Sequence, residues 1–407
     1  MTMAATEKSL AATERVRWTW LWGAKRDFAL SLVPFWLGLA LVAALYLTRN
    51  SGASPEAMWS IGGVSAITVA FFIFGPIVDG PHLWATIART YTDAEEWAQR
   101  RHLFISSLLA FAMGPTLILL PYVANMFVPV PQHLLGVGWT LWSAFFFYYA
   151  LYHINKQHWG FISLYKRKNN DNDVLENRVD AVFYNVAFGV LYIAIMNAPW
   201  GGTWAKGVIA EARPYIYAGC RDVFLFACAA YVAFQVVQWS RGKVRNGPKL
   251  LYIASVVPVT WLALAFDARI AAFWTLIIGV GHCSQYHGVV WNYGQKRYAV
   301  TDETEAKLPH RIFGNVWLYA ILGVAFALVT LQGPHADAVK AVGSDLLQTS
   351  VFSHIFAFLN PKEGHVLGIQ LLTAFISGVR LHHFYVDSKI WRVSKNAGLA
   401  ANLSVKG

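Results

Sequence analysis

Apolar residues in this chain fall in runs of about 20, separated by short polar stretches. That is the length at which a helix crosses the hydrocarbon core of a bilayer. Ten runs predict spanning helices over 28–47, 59–78, 103–123, 134–152, 179–196, 220–238, 250–266, 271–291, 314–332 and 366–386. A shorter apolar run, 346–359, predicts an interfacial or re-entrant helix. Trp and Tyr gather near the ends of several runs, as interfacial anchors do. The expected fold class is all-α: a polytopic transmembrane helix bundle with both termini cytoplasmic. Residues 1–27 form a cytoplasmic N-terminal segment, 28–391 a single transmembrane domain and 392–407 a cytoplasmic tail.

Composition supports this pattern. The chain is 56% hydrophobic and 14% charged, whereas soluble domains carry about a quarter charged residues. The polar first 27 residues do not read as a cleavable signal peptide. Cys220, Cys228 and Cys283 have no paired or metal-type spacing, and no Cys-x-x-Cys-His haem attachment exists. The net charge of +11 reads as cytoplasmic loop charge rather than nucleic-acid binding. With the N-terminus inside, Lys and Arg favour the cytoplasmic segments by about four to one, as the positive-inside rule requires. Arg221 and Arg380 fall within helices.

This topology sorts the 13 histidines. His82 follows the second run, in Asp79-Gly-Pro-His. His153 and His158 end the fourth. His282 and His287 lie in the inner part of the eighth, and His382 and His383 end the tenth. All four helices run outside to inside, so these histidines reach one level at the cytoplasmic face. Hydrophobic patterning does not require that, and ionisable groups at membrane depth usually serve function. His102 and His310 are cytoplasmic surface residues on this topology, and His133, His335, His354 and His365 fall outside.

Five-residue spacing puts two helical side chains about 140° apart. His153/His158 and His282/His287 therefore share no face on straight helices, unless an extra-residue bulge intervenes. Three- and four-residue spacings do share one: Asp79/His82, His153/Gln157, His282/Tyr286, Arg380/His383 and His383/Asp387. The expected metal ligands are His82, His153, His158, His282, His287, His382 and His383, with Asp79 and Asp387 as ligands or orienters. Gln157 and Gln285 suit the support of ligating imidazoles. Tyr286 and Arg380 are the candidate catalytic side chains. Segment 86–93 reads as a connector, lid or headgroup contact, and Lys166-Arg167-Lys168 as an anchor favouring anionic lipid. Iron, zinc, copper and manganese all fit the ligand types, and a nitrogen-and-oxygen set without thiolate favours non-haem iron.

Histidines clustered at the cytoplasmic ends of membrane helices resemble the plan of integral-membrane non-haem diiron enzymes, the fatty-acid desaturase and hydroxylase class. That class carries His-x-x-x-His and His-x-x-His-His boxes; this chain has His-x-x-x-x-His twice and a bare His382-His383. A looser likeness is to bacterial membrane carotenoid-cleaving oxygenases. The resemblance implies two irons, O2 as co-substrate, and hydroxylation, desaturation or oxidative cleavage of a hydrophobic, lipid-like substrate. It also implies a separate ferredoxin- or reductase-type electron donor and a role in lipid metabolism. The expected location is a bacterial inner membrane, with the active site toward the cytoplasm. Two alternatives stand beside it: a membrane cytochrome with bis-histidine haem, and a proton-coupled transporter with a histidine relay. Gly-rich phosphate loops, Ser-His-Asp arrangements and His-Glu-x-x-His are absent from the sequence.

Overall fold

The computed structural model describes residues 15–47, 60–61, 64–65, 73–198, 208–266, 275–299, 307–332, 359 and 364–405. Helices dominate them. In chain order they are α1 Val33–Leu47, α2 Gly80–Thr90, α3 Ala94–Ser107, α4 Ala110–Asn125, α5 Val137–Lys168, α6 Val174–Asn197 and α7 Val208–Ser240. There follow α8 Gly247–Trp261, α9 Val280–Arg297, α10 Leu308–Gly314, α11 Val316–Val329, α12 Gly364–Ile390 and α13 Ala397–Asn402. Two-residue strands are the only sheet among the described residues: Val16–Arg17 runs parallel to Arg245–Asn246, and Ser60–Ile61 antiparallel to Val64–Ser65.

Among the described residues, five helical stretches are long and apolar enough to cross a membrane: Ala94–Asn125, Gln132–Lys168, Val174–Asn197, Ala210–Ser240 and Gly247–Ala265. The pair α10 and α11, bent by 106° at Asn315, makes a sixth if counted as one span. Large apolar side chains such as Leu120, Phe226 and Val329 are exposed on these helices, as lipid-facing residues are. Of the run expected at 59–78, the described residues correct the helix at its start: 60–61 and 64–65 are paired strands, and only 73–78 are helical. The re-entrant helix expected at 346–359 lies outside the described residues except for 359, as does the start of the run at 271–291. The last expected span falls in α12, whose C-terminal half carries Arg380, His382 and His383.

The chain forms two compact units, each assembled from segments distant in sequence. The first takes residues 1–58, 155–282 and 396–407; the second takes 59–154 and 283–395. Helices α5 and α9 each contribute to both.

In the first unit α6 packs along α7, and α8 packs on α1. Its polar end is closed by charge. Lys249, 1% exposed at its side chain, lies 3.0 Å from Asp171, 2.8 Å from Glu176 and 3.0 Å from Asp180. Lys166 also bonds Asp180 at 2.7 Å, and Arg245 bonds Glu176 at 2.7 Å. Three cations thus meet three carboxylates, which is how a low-dielectric interior tolerates charge. Asp27, buried before α1, accepts bonds from the amides of Leu21 and Trp22 and from the Tyr165 hydroxyl.

In the second unit α4 packs along α12 around Ile118, Trp142, Ala374 and Leu381. Helix α2 packs on α11, and the approach needs glycine: a Cβ on Gly80 would stand 2.1 Å from that of Ala327. The connector reading of segment 86–93 needs correcting. Thr86, Arg89 and Thr90 are 0–1% exposed, so this part of α2 turns its polar stripe into the protein. The Arg89 guanidinium lies 3.6 Å over the Trp391 ring and 4.4 Å over Tyr293, and donates to the Ile390 carbonyl. Beyond α2, Asp93 caps α3 by accepting from the amides of Glu95 and Glu96. Burial opposes its ionisation. The Tyr298 hydroxyl, the Glu96 amide and Arg297 outweigh that, and hold its carboxyl below the usual range.

Candidate metal centre

The second unit gathers three imidazoles. His82 on α2, His153 on α5 and His383 on α12 each offer a ring nitrogen, and these nitrogens lie within 4.8 Å of one another. The rings of His82 and His383 are 4.4 Å apart and those of His153 and His383 5.0 Å. All three are 8% exposed or less. Phe384 stacks on His153 at 4.3 Å and fixes its plane.

Local backbone delivers these residues. A π-helical turn over Gly75–Asp79 runs straight into α2, and another over Thr275–Gly279 runs into α9. Such turns carry an extra residue and recur at functional sites. They lie just ahead of His82 and His282, not inside the five-residue spacings. Helix α5 is continuous through both its histidines.

A hydroxyl network sets the orientation of His383. Thr86 Oγ1, one turn after His82, lies 2.7 Å from His383 Nδ1, 2.9 Å from Asp387 Oδ1 and 2.6 Å from Tyr286 Oη. The Tyr286 hydroxyl donates to the same Asp387 oxygen at 2.7 Å. Thr86 has one proton and gives it to the carboxylate, so its lone pair accepts from Nδ1–H of His383. In that tautomer Nε2 carries the ring's lone pair. Nε2 stands 3.6 Å from Asp387 Oδ2, too far for a hydrogen bond but a spacing two donors on one ion can have. The Trp391 indole N–H reaches Tyr286 at 3.4 Å.

The other candidates take separate positions. His287 bonds the Tyr319 hydroxyl through Nδ1 at 2.9 Å. His382 bonds the Tyr91 hydroxyl through Nε2 at 2.7 Å. Neither joins the three-ring group; His382 is next to His383, and neighbouring positions on a helix point about 100° apart. Asp79 pairs with Arg380, and an Asp79 oxygen, a His82 nitrogen and the Cys283 sulfur also lie within 4.8 Å of one another. Arg380 is thereby held on a carboxylate. In the first unit His158 bonds the Tyr252 hydroxyl at 3.0 Å and lies edge-on to Phe35. Gln157 donates to the backbone carbonyl of His282 at 2.8 Å, so it fixes that helix rather than an imidazole. Gln285 is fully buried.

Sequence reasoning passed over Thr86, Tyr91 and Tyr319 as partners of histidine. Thr86 had a signal: with His82 and Arg89 it makes a four- and three-residue polar stripe on an otherwise apolar helix. Tyr91 and Tyr319 had none, since each meets its histidine across more than 30 residues of sequence.

Buried imidazole nitrogens with an adjacent carboxylate suit a borderline transition ion such as iron or zinc. Comparison with protein-family models, curated proteins and solved structures finds no match.

Proposed function

We propose that this chain is an integral-membrane, metal-dependent oxidoreductase that uses O2 on a hydrophobic, lipid-like substrate. The observation that supports it is the convergence of His82, His153 and His383 with an oriented tautomer and a carboxylate beside them. In this reading ten helices span the membrane, both termini are cytoplasmic, and the histidines sit toward that face. Iron is the ion, with a second iron as the resemblance implies.

The protein's own contribution is orientation and insulation. Phe384 and Thr86 fix two rings before any ion arrives, which lowers the cost of assembling the shell. Asp387 holds negative charge beside the donors, and Tyr286 hands a proton to or from that carboxylate. The low exposure of these groups keeps bulk water away and strengthens every charge interaction among them. A bound iron would supply O2 activation. Electrons come from a separate cytoplasmic donor. The haem alternative fits less well: a haem iron would take one or two protein ligands, and three imidazoles gather in the second unit.

Elemental analysis and an optical spectrum of the detergent-purified protein test this reading. Stoichiometric iron lost in His82→Ala, His153→Ala and His383→Ala is expected. Protein from iron-replete cells without a transition metal, or with a Soret band, refutes it.

A further inference from the structure

A second site lies in the first unit, at the turn between two candidate spans. One span ends at Lys168 and the next begins at Val174. A polar cavity of about 410 Å³ opens there, within the range of small-ligand sites. Its wall is one stripe of α5. Trp159, Ser163, Lys166 and Arg167 follow each other at four-, three- and one-residue steps, and all four line the cavity. Asp171 in the turn and Asn177 on α6 line the opposite side.

The charges are arranged. Lys166 is held by Asp180 at 2.7 Å, and Asp171 by Lys249 at 3.0 Å. The lining therefore keeps fixed geometry, and it presents two cations against one carboxylate. The stripe runs from an indole, through a hydroxyl, to basic heads. That is the order of chemistry met on leaving the hydrocarbon for the headgroup layer. Basic pockets between spanning helices take lipid headgroups.

We infer that this cavity binds the headgroup of an anionic phospholipid. The phosphodiester lies against Arg167 and Lys166, the headgroup hydroxyls against Ser163 and Asn177, and the acyl chains leave past Trp159. The site is independent of any metal and of the reaction proposed above.

Native mass spectrometry of the full-length protein in detergent tests it. The protein is titrated with phosphatidylglycerol, with phosphatidylcholine of the same chains, and with inorganic phosphate. Phosphatidylglycerol should be retained about tenfold better than phosphatidylcholine, the worth of one charge-assisted contact. Arg167→Gln and Asn177→Asp should each erase that preference. Arg178→Gln, an exposed neighbour outside the lining, should keep it. Equal retention of the two lipids by the wild type overturns the proposal, as does wild-type preference in both cavity variants. Displacement of the lipid by millimolar phosphate also overturns it, since the cavity would then take a free anion. Unfolding midpoints check that each variant is folded; should Arg167→Gln fail, Asn177→Asp decides.

Discussion

Thr86→Val is the sharpest probe of the histidine site. The change keeps shape and β-branching and removes one oxygen. That oxygen serves His383 Nδ1 at 2.7 Å and Asp387 at 2.9 Å, and touches Tyr286 at 2.6 Å. A hydrogen bond to a charged group contributes about 1.5–3 kcal/mol, and a stranded buried donor costs about 1–3 kcal/mol. Hydrogen bonds between membrane helices measure lower, about 0.6 kcal/mol on average, because the unfolded reference also finds partners. Between these limits the variant should lose about 2 kcal/mol of stability. The larger effect is on the ion. Without Thr86 the His383 ring loses the acceptor that fixes its tautomer, and outer-shell losses of this kind lower metal affinity about 10–100-fold. Competition against a graded chelator, read by elemental analysis, measures this directly. Thr86→Ser restores the oxygen and should restore affinity. If Thr86→Val binds metal as tightly as the wild type, the orienting role assigned to this network is wrong.

Other expectations follow from the same structure. Lys249→Met leaves Asp171, Glu176 and Asp180 buried with one cation fewer, and should cost about 3–5 kcal/mol; loss of the monodisperse peak in size-exclusion chromatography reads it. Asp93 has a lowered folded-state pKa, so its stabilisation is complete above the unfolded value of about 3.9 and disappears as pH falls through the folded one. Unfolding midpoints between pH 7 and 3 should therefore fall more steeply for the wild type than for Asp93→Asn. Gly80→Ala places a methyl 2.1 Å from Ala327 Cβ and should cost about 1–3 kcal/mol by overpacking, visible as a lower thermal midpoint in detergent.

The apolar runs made the long helices legible, because length and hydropathy are local properties. Partners across the fold were not. The Lys249 cluster joins acids from a turn and from α6 to a lysine at the start of α8, and charge counting for topology ignores acids altogether. Helix geometry separates the directions of adjacent residues. On α9, His287 turns to Tyr319, while Tyr286, its neighbour, turns to Asp387. What spacing could not reveal was which ring of each box meets rings from other helices. That choice depends on Thr86 and Phe384, residues that carry no metal chemistry of their own. The π-helical turns ahead of α2 and α9 were likewise invisible, since they arise from one residue too many in a backbone whose side chains remain ordinary.

The interleaving of segments constrains how the chain can be built. The first unit draws on residues 396–407, and the Lys168 ammonium of α5 donates to the Ser404 carbonyl. The second needs residues up to 395. Neither can close until residues close to 400 have left the ribosome, so early helices must wait in the bilayer for late ones. Contacts of such long sequence separation slow assembly, and truncating even the last dozen residues removes a piece of the unit to which the N-terminal segment belongs.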